Sequence, residues 1–248
     1  MPYAVLGEPG VQYDVDKLIY LGTTEHMLYY LFNTRKAAGL NSLAKLRAAT
    51  GVRIGSAPVG HTGYIHSRVT AYLLDMKEPR IIPGYENEDR DVAFARGEVD
   101  AQVASTGTVV ENDLVNKKLA DFHAAIKIPK GRKDPRFTHL GLPDIETFAK
   151  SEKEKNFLTM MRNFRSIGTA LLLPPGTPKD RVEIFKEAVR KTHTDPAFVN
   201  EYRKLTGGDE PTPLMPDEQA KIVKEIPRDA ETIEPFKKFA GTGPLPPR

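Results

Sequence analysis

The pattern of apolar and polar residues predicts an α/β chain in which strands and helices alternate. Residues 18–32, LIYLGTTEHMLYYLF, are rich in β-branched and aromatic residues around Gly22, which predicts one or two strands. Asn41 or Ser42 can then cap a short helix that ends at Gly51. Strand and helix patterns follow one another from there towards the end of the chain.

The most regular pattern lies in residues 52–103. Three short apolar runs predict buried strands, and between them apolar residues recur at the spacing of one helix face. The predicted elements are strands at 52–54, 80–82 and 99–103 and helices at 61–75 and 89–96, the second helix ending at Gly97. Strands and helices that alternate with short connections are typical of a parallel, doubly wound sheet.

The second half of the chain predicts two more strands and a series of helices. Strands are predicted at 122–128 and 169–173, and the latter is expected to be buried. Helix starts are predicted at Ser151 with Glu154 as a capping box, at Thr177-Pro178, and at Asp195-Pro196 with an end at Gly207. Two further helices are expected at 217–226 and 229–239, followed by a tail along the surface.

Composition and charge narrow the function classes. The 248 residues are 40% apolar and 28% charged, which is ordinary for a globular protein with one core or two smaller lobes. The formal charge of +3 is spread without a Lys- or Arg-rich block, so nucleic acid is not expected as a partner. The chain has no cysteine, which excludes thiolate nucleophiles, disulfides and cysteine-bound zinc.

No residue pattern in the sequence predicts catalysis or a metal site. His61 and His66, the closest histidine pair, are five residues apart and therefore lie on different sides of a helix. No GxSxG motif occurs, and acidic pairs are expected by chance among 33 acidic residues. We therefore expect a protein that is not an enzyme and carries no cofactor.

The sharpest local motif is residues 55–62, GSAPVGHT, between a strand and a helix. It nearly matches the phosphate loop GxxxxGK[ST], but His61 replaces the lysine that contacts the outer phosphates. Such a turn points backbone N–H groups and the positive end of a helix at one spot, which suits a small anion. Ser56 and Thr62 add hydroxyl donors. The alternative is a plain strand-to-helix turn.

A second candidate is Ser105-Thr106-Gly107-Thr108, which follows the predicted strand at 99–103. In open parallel sheets, ligands bind beyond the carboxyl ends of the strands. Ser56 and Ser105 both follow such strands, so the two turns could line one cleft. The alternative is an ordinary polar loop.

Two blocks of the sequence resemble the Bug-type receptors of tripartite tricarboxylate transporters. The first block, residues 52–105, contains the turn at 55–61, Gly84-Tyr85 and the run Gly97-Glu98-Val99-Asp100. The second, residues 171–198, contains LLLPPGTP before one helix and Asp-Pro before the next. Both stand in the family's order and at about its spacing. The resemblance spans about residues 11–225, with a poor match between 106 and 165.

The resemblance implies an α/β fold of the type II periplasmic-binding-protein class, with two doubly wound lobes joined by crossing strands. Residues 1–32 would form a remnant of the first lobe and a hinge strand. Residues 33–165 would form the second lobe, and residues 166–248 would return to the first lobe with the C-terminal helices and the tail.

The resemblance also implies an extracytoplasmic receptor that captures a small carboxylate for the membrane components of a tripartite transporter. Ligands of the family include di- and tricarboxylates, amino acids and aromatic acids. By this match one end of the ligand is bound by Ser56, Ala57, Gly60, His61 and Thr62, and the same side of the cleft is lined by Tyr85, Ser105 and Thr106.

Two departures from the family pattern affect the expected ligand and compartment. Ala104 stands where the family often has an acidic residue, which puts recognition of an amino group in doubt. The family's opening strand–helix unit, with its Pro-x-Gly-Gly loop, has no counterpart here. A signal peptide is expected to have been lost with that unit, and we expect a periplasmic location.

The sequence leaves the identity of the acid open. Arg53, Arg68, Arg162 and Arg165 are candidates for a second contact with a dicarboxylate, and the sequence does not rank them. The oligomeric state is open too. Two alternative functions remain, an enzyme on the same fold and a sensory module that responds to a small anion.

Overall fold

Seven strands form two sheets in the part of the chain that the computed structural model describes, residues 2–107 and 111–248. For residue 87 and residues 111–113 only the backbone is described. The strands are β1 (Ile19–Gly22), β2 (Leu28–Arg35), β3 (Arg53–Gly55), β4 (Arg80–Ile82), β5 (Ala101–Ser105), β6 (Ala120–Ile128) and β7 (Leu171–Leu173).

The α-helices in the same residues are α1 (Pro2–Val5), α2 (Leu43–Ala48), α3 (Thr62–Leu73), α4 (Asn87–Arg96), α5 (Glu152–Ser166), α6 (Lys179–Thr194), α7 (Pro196–Thr206), α8 (Pro216–Lys224) and α9 (Ala230–Ala240). Short helical turns occur at Lys36–Ala38, Glu111–Asn116, Thr138–Leu140 and Ile145–Phe148. No helix in the described residues combines the length and the apolar character needed to cross a bilayer.

The larger sheet has five strands in the order β4-β3-β5-β2-β6. β3 is parallel to both β4 and β5, as the alternating pattern of 52–103 predicts. β2 is antiparallel to β5 and β6, so the whole sheet is mixed, and the parallel arrangement predicted from residues 52–103 holds for β3, β4 and β5. The α/β fold class itself is confirmed.

Both faces of the larger sheet are buried. In β2, Tyr30 and Phe32 pack on the face that α3, α5 and α9 cover, while Tyr29 and Leu31 pack on the face of α4. Alternate residues of a strand point to opposite faces, so this central strand is apolar at every second position on each side. The predicted site lies at the carboxyl ends of β3, β4 and β5.

The smaller sheet pairs β1 with β7 in antiparallel register, from Ile19 opposite Leu173 to Gly22 opposite Leu171. The sequence predicted 169–173 as a buried strand, and this is wrong. Leu171 is 46% exposed and Leu172 is 38% exposed, and because successive residues of a strand point to opposite faces, neither face of β7 is fully covered. The predicted division of the chain into lobes at residues 32 and 165 stays a prediction.

Candidate functional site

The turn between β3 and α3 is joined to the neighbouring strand by two backbone hydrogen bonds. The Ser56 N–H donates to the Ile82 carbonyl at 2.9 Å, and the Tyr85 N–H donates to the Ser56 carbonyl at 3.0 Å. The Ser56 side chain is buried, and its hydroxyl donates to the Ala57 carbonyl at 3.2 Å. The turn therefore continues the β3–β4 ladder and holds Tyr85 beside Ser56.

Four backbone N–H groups of the turn are left without a protein acceptor. Among the described residues, none accepts a hydrogen bond from the N–H of Ala57, Val59, Gly60 or Thr62. The first N–H groups of a helix lack partners within the helix, and Thr62 is the first residue of α3. Backbone donors gathered at a helix N-terminus are a suitable site for an anion.

His61 is the N-cap of α3. Its Nδ1 accepts a hydrogen bond from the Gly63 N–H at 3.1 Å, which requires the unprotonated nitrogen. Burial lowers the pKa of His61, the charge of Arg165 lowers it further, and Glu86 opposes both. The ring is therefore held neutral near pH 7, and it contributes a cap to the turn and no charge.

Tyr3 covers the turn from the N-terminal helix α1, a contact that the sequence did not predict. Its hydroxyl donates to the Val59 carbonyl at 3.3 Å. Gly60 has φ of +78°, and a Cβ atom built there would lie 1.5 Å from the Tyr3 hydroxyl oxygen. Glycine is thus required at position 60 for its backbone conformation and for the space that Tyr3 occupies.

The loop after β5 leaves the same edge of the sheet, because β5 lies next to β3 and parallel to it. Ser105 pairs with Tyr30 of β2, and directly opposite residues present their side chains on the same face. The Thr106 N–H and its hydroxyl both donate to the Tyr29 carbonyl at 2.7 Å, so this hydroxyl is already used. Thr108 lies outside the described residues.

Three of the four candidate arginines are used inside the protein. Arg53 donates to Asp100, Arg68 to the carbonyls of Lys238 and Gly243, and Arg162 to Asp144 and Glu146. Guanidinium groups with bidentate carboxylate or carbonyl partners have little capacity left for a ligand. These three arginines therefore stabilise contacts within the protein.

Arg165 of α5 differs from the other three. Its Nε donates to the Tyr30 hydroxyl, its Nη2 lies 3.9 Å from the Glu25 carboxylate, and its side chain is 18% exposed. The Arg165 guanidinium also lies over the Tyr30 ring, 5.9 Å from the ring centroid, and its charge lowers the pKa of both His61 and His66.

A polar cavity of about 260 Å³ lies beside Thr106, where the smaller sheet's connections meet the larger sheet. It is bounded by Glu25, Arg136 and Asp209, and Arg136 pairs with Asp209 at 2.5 Å. A larger, mostly apolar cavity of about 820 Å³ lies beside α4 at the other end of the sheet, and none of the predicted site residues lines it. In the described residues, no group of three His, Asp or Glu side chains is arranged to hold a metal ion.

The structure thus places the eight predicted site residues at one edge of the larger sheet. Ser56, Ala57, Gly60, His61 and Thr62 form one turn, Tyr85 is joined to it, and Ser105 and Thr106 end the adjacent strand. The hydroxyls of Ser56 and Thr106 donate to backbone carbonyls, so these two hydroxyls are already used within the protein. Ligand contact by these residues stays a prediction.

Comparison with known proteins gives structural relatives at low sequence identity. No family model matches the chain, and no curated protein matches it. A TctC solute-binding protein from Polaromonas superposes with a TM-score of 0.59 at 14% identity, over 96% of this chain and 73% of that one. The R. palustris protein Rpa4515 with adipate gives 0.59 at 16% identity, over 94% and 72%. The periplasmic binding protein BugD gives 0.60 at 18% identity, over 90% and 69%.

The chain therefore has the fold of the Bug- and TctC-type solute-binding proteins. This confirms the α/β periplasmic-binding-protein class that the sequence resemblance predicted.

Proposed function

We propose that this protein is a periplasmic solute-binding protein that captures a small carboxylate for a tripartite tricarboxylate-type transporter. The ligand's carboxylate binds at residues 56–62, and the protein carries out no chemistry on it. The observation that carries the proposal is the set of four N–H groups without a protein acceptor at the start of α3.

Three structural relatives support this proposal. Two are described as a solute-binding protein and a periplasmic binding protein, and a third was solved with adipate. A carboxylate fits the turn because its two oxygens accept several N–H donors at once, and the helix terminus favours negative charge.

A thermal-shift screen against mono-, di- and tricarboxylates, aromatic acids and acidic amino acids tests the proposal. At a ligand concentration about 100 times Kd, binding adds about 2.7 kcal/mol of stability, which corresponds to about 5–10 °C in Tm. We expect a saturable shift of this size with one class of acid, and no shift with matched alcohols or amines.

Gly60→Ala provides the local test of the same turn. The methyl group meets Tyr3 and the left-handed backbone is strained, so the N–H groups at 59–62 are displaced and affinity for the acid falls about tenfold or more. Gly176→Ala is the control, because Gly176 has φ of +83° with open space around it. A wild-type protein that no acid stabilises, or a Gly60→Ala variant with unchanged affinity, contradicts the proposal.

A further inference from the structure

Arg165 is a loosely paired cation beside the connection between the two sheets. It lies at the carboxyl end of α5, directly before the connection to β7. A Cβ atom at Gly168 would lie 3.3 Å from its Nη1, so glycine leaves room for the guanidinium. Its one acidic partner among the described residues is Glu25, at the long distance of 3.9 Å, and the Glu25 side chain is 39% exposed. A guanidinium that is mostly removed from water needs a closer counter-charge than this.

The position of Arg165 is fixed by the residues that connect it to the predicted site. Its Nε donates to the Tyr30 hydroxyl, and Tyr30 lies opposite Ser105 at the end of β5. The Tyr30 ring also packs edge-on against His66 of α3, with 5.0 Å between ring centroids. His66 follows the N-cap of α3 by five residues, so Tyr30 connects the guanidinium both to α3 and to the end of β5.

We infer that Arg165 is a second anion-binding group of this cleft, which selects ligands with two acidic groups over ligands with one. The inference rests on the proposed function, in which the first carboxylate binds at residues 56–62. The second acidic group accepts two parallel N–H bonds from the Arg165 guanidinium, and Tyr30 holds the guanidinium in place through its hydroxyl. Among the candidate arginines with a carboxylate partner, Arg53 and Arg162 pair at 2.6 and 2.8 Å and Arg165 at 3.9 Å, while Arg68 donates to two backbone carbonyls.

Glu25 competes with the ligand for Arg165. Burial raises the pKa of Glu25, and its ionised carboxylate repels a second anion at the same guanidinium. Removing this charge therefore has the opposite effect on diacid binding to removing the Arg165 charge. This pair of opposite effects separates a ligand-binding role of Arg165 from a structural role, because loss of the fold weakens binding in both variants.

Calorimetric titration of the full chain with three matched pairs of acids tests the inference. The pairs are butyrate and succinate, hexanoate and adipate, and benzoate and terephthalate. The variants are Arg165→Gln, Arg165→Lys and Glu25→Gln, with Arg181→Gln as the control because Arg181 is exposed on α6. Circular dichroism and the unfolding midpoint verify that each variant is folded.

We expect wild-type protein to bind the diacid of at least one pair ten times more tightly than its monoacid. Arg165→Gln loses that preference and weakens diacid binding at least tenfold, while monoacid binding changes less than twofold. Arg165→Lys keeps the positive charge but loses the planar pair of N–H donors, so its diacid affinity lies between those of wild type and Arg165→Gln. Glu25→Gln strengthens diacid binding about threefold, and Arg181→Gln changes nothing.

Three results separate failure of the inference from failure of the proposed function. Suppose that wild-type protein binds acids and that Gly60→Ala weakens this binding. If Arg165→Gln then keeps diacid affinity within twofold of wild type, Arg165 is not the second anion-binding group. If wild-type protein prefers no diacid, the inference is overturned in the same way. If wild-type protein binds no acid of any pair or of the wider screen, the proposed function fails and the inference with it.

Discussion

The open donors of the turn at 56–62 follow from three residue types. Pro58 has no N–H, and its carbonyl accepts the His61 N–H at 3.0 Å, which folds the turn without using its other donors. Gly60 supplies the left-handed backbone conformation, and the His61 ring caps Gly63. The donors of Ala57, Val59, Gly60 and Thr62 therefore remain available to a ligand.

His66 makes the free energy of unfolding depend on pH. His66 is buried against Tyr30. Burial is the main cause that lowers its pKa from 6.5 to about 3, and the charges of Arg165 and His61 lower this pKa further. The unfolded chain therefore binds the proton first as the pH falls. The stability that neutral His66 contributes is fully present above pH 6.5 and is lost progressively from pH 6.5 down to about pH 3.

We predict that His66→Gln reduces the acid sensitivity of the protein. Between pH 7 and pH 5 the free energy of unfolding should fall by about 2 kcal/mol less in this variant than in wild type. Urea unfolding at the two pH values measures the difference. His139→Gln is the matched control, and an equal fall in wild type and His66→Gln would show that another group controls the acid response.

Local sequence could identify only part of the candidate site. Gly60 and His61 belong to a strand–turn–helix motif whose geometry is set by neighbouring residues, so the pattern was sufficient to find them. Tyr3 and Arg165 could not be found in this way, because Tyr3 contacts Val59 from 56 positions away and Arg165 contacts Tyr30 from 135 positions away. Ranking the four arginines likewise required knowledge of their distant partners.

Element boundaries were predictable wherever a local cap sets them. Ser42 accepts from the Lys45 N–H at the start of α2, and Asp195 accepts from the Ala197 N–H at the start of α7, as their sequence positions predict. At α6 the expectation is wrong by one residue. Thr177 bonds back to the Pro174 carbonyl, and Pro178 occupies the N-cap, so the helix begins at Lys179.

Burial of an element, in contrast, depends on what packs against it. The apolar run of β7 has the same composition as a core strand, but Leu171 and Leu172 are both exposed to solvent. The orientation of β2 and β6 is also set by their neighbours in the sheet and not by their own residues. These features could not be predicted from local patterns.

Arg248 anchors the tail after α9 to α3 and α5, two helices that pack on the larger sheet. Its side chain is 11% exposed, donates to the Leu73 carbonyl at 2.6 Å and pairs with Glu154 at 2.9 Å. Its guanidinium also lies over the Tyr72 ring. The sequence predicted a surface tail, and the structure adds a specific anchor at its last residue.

We predict that Arg248→Ala lowers the free energy of unfolding by about 3 kcal/mol, because Glu154 is left buried without its charged partner. Adding Glu154→Gln in the same chain should recover most of this loss. The exposed pair of Arg203 and Glu210 supplies the control, and Arg203→Ala should cost less than about 1 kcal/mol. Urea unfolding measures all three, and equal losses for Arg248→Ala and Arg203→Ala would contradict the anchor.

At the scale of the whole molecule, two connections join the sheets, residues 23–27 between β1 and β2 and residues 167–170 between α5 and β7. Two ion pairs lie close to these connections, Arg165 with Glu25 and Arg136 with Asp209. Both ion pairs join residues that lie far apart in sequence. The placement of the two sheets depends on such contacts and was beyond the reach of local sequence patterns.

The measurement that tests the central claim most directly is an NMR titration of ¹⁵N-labelled protein with the acid that stabilises it most in the screen. We predict saturable shifts of the backbone amides of Ala57, Val59, Gly60 and Thr62, together with the Arg165 Nε–H, while Gly176 stays unchanged. Shifts confined to the apolar cavity beside α4, or a saturating ligand that leaves the amides of 57–62 in place, would contradict the claim that this turn binds the carboxylate.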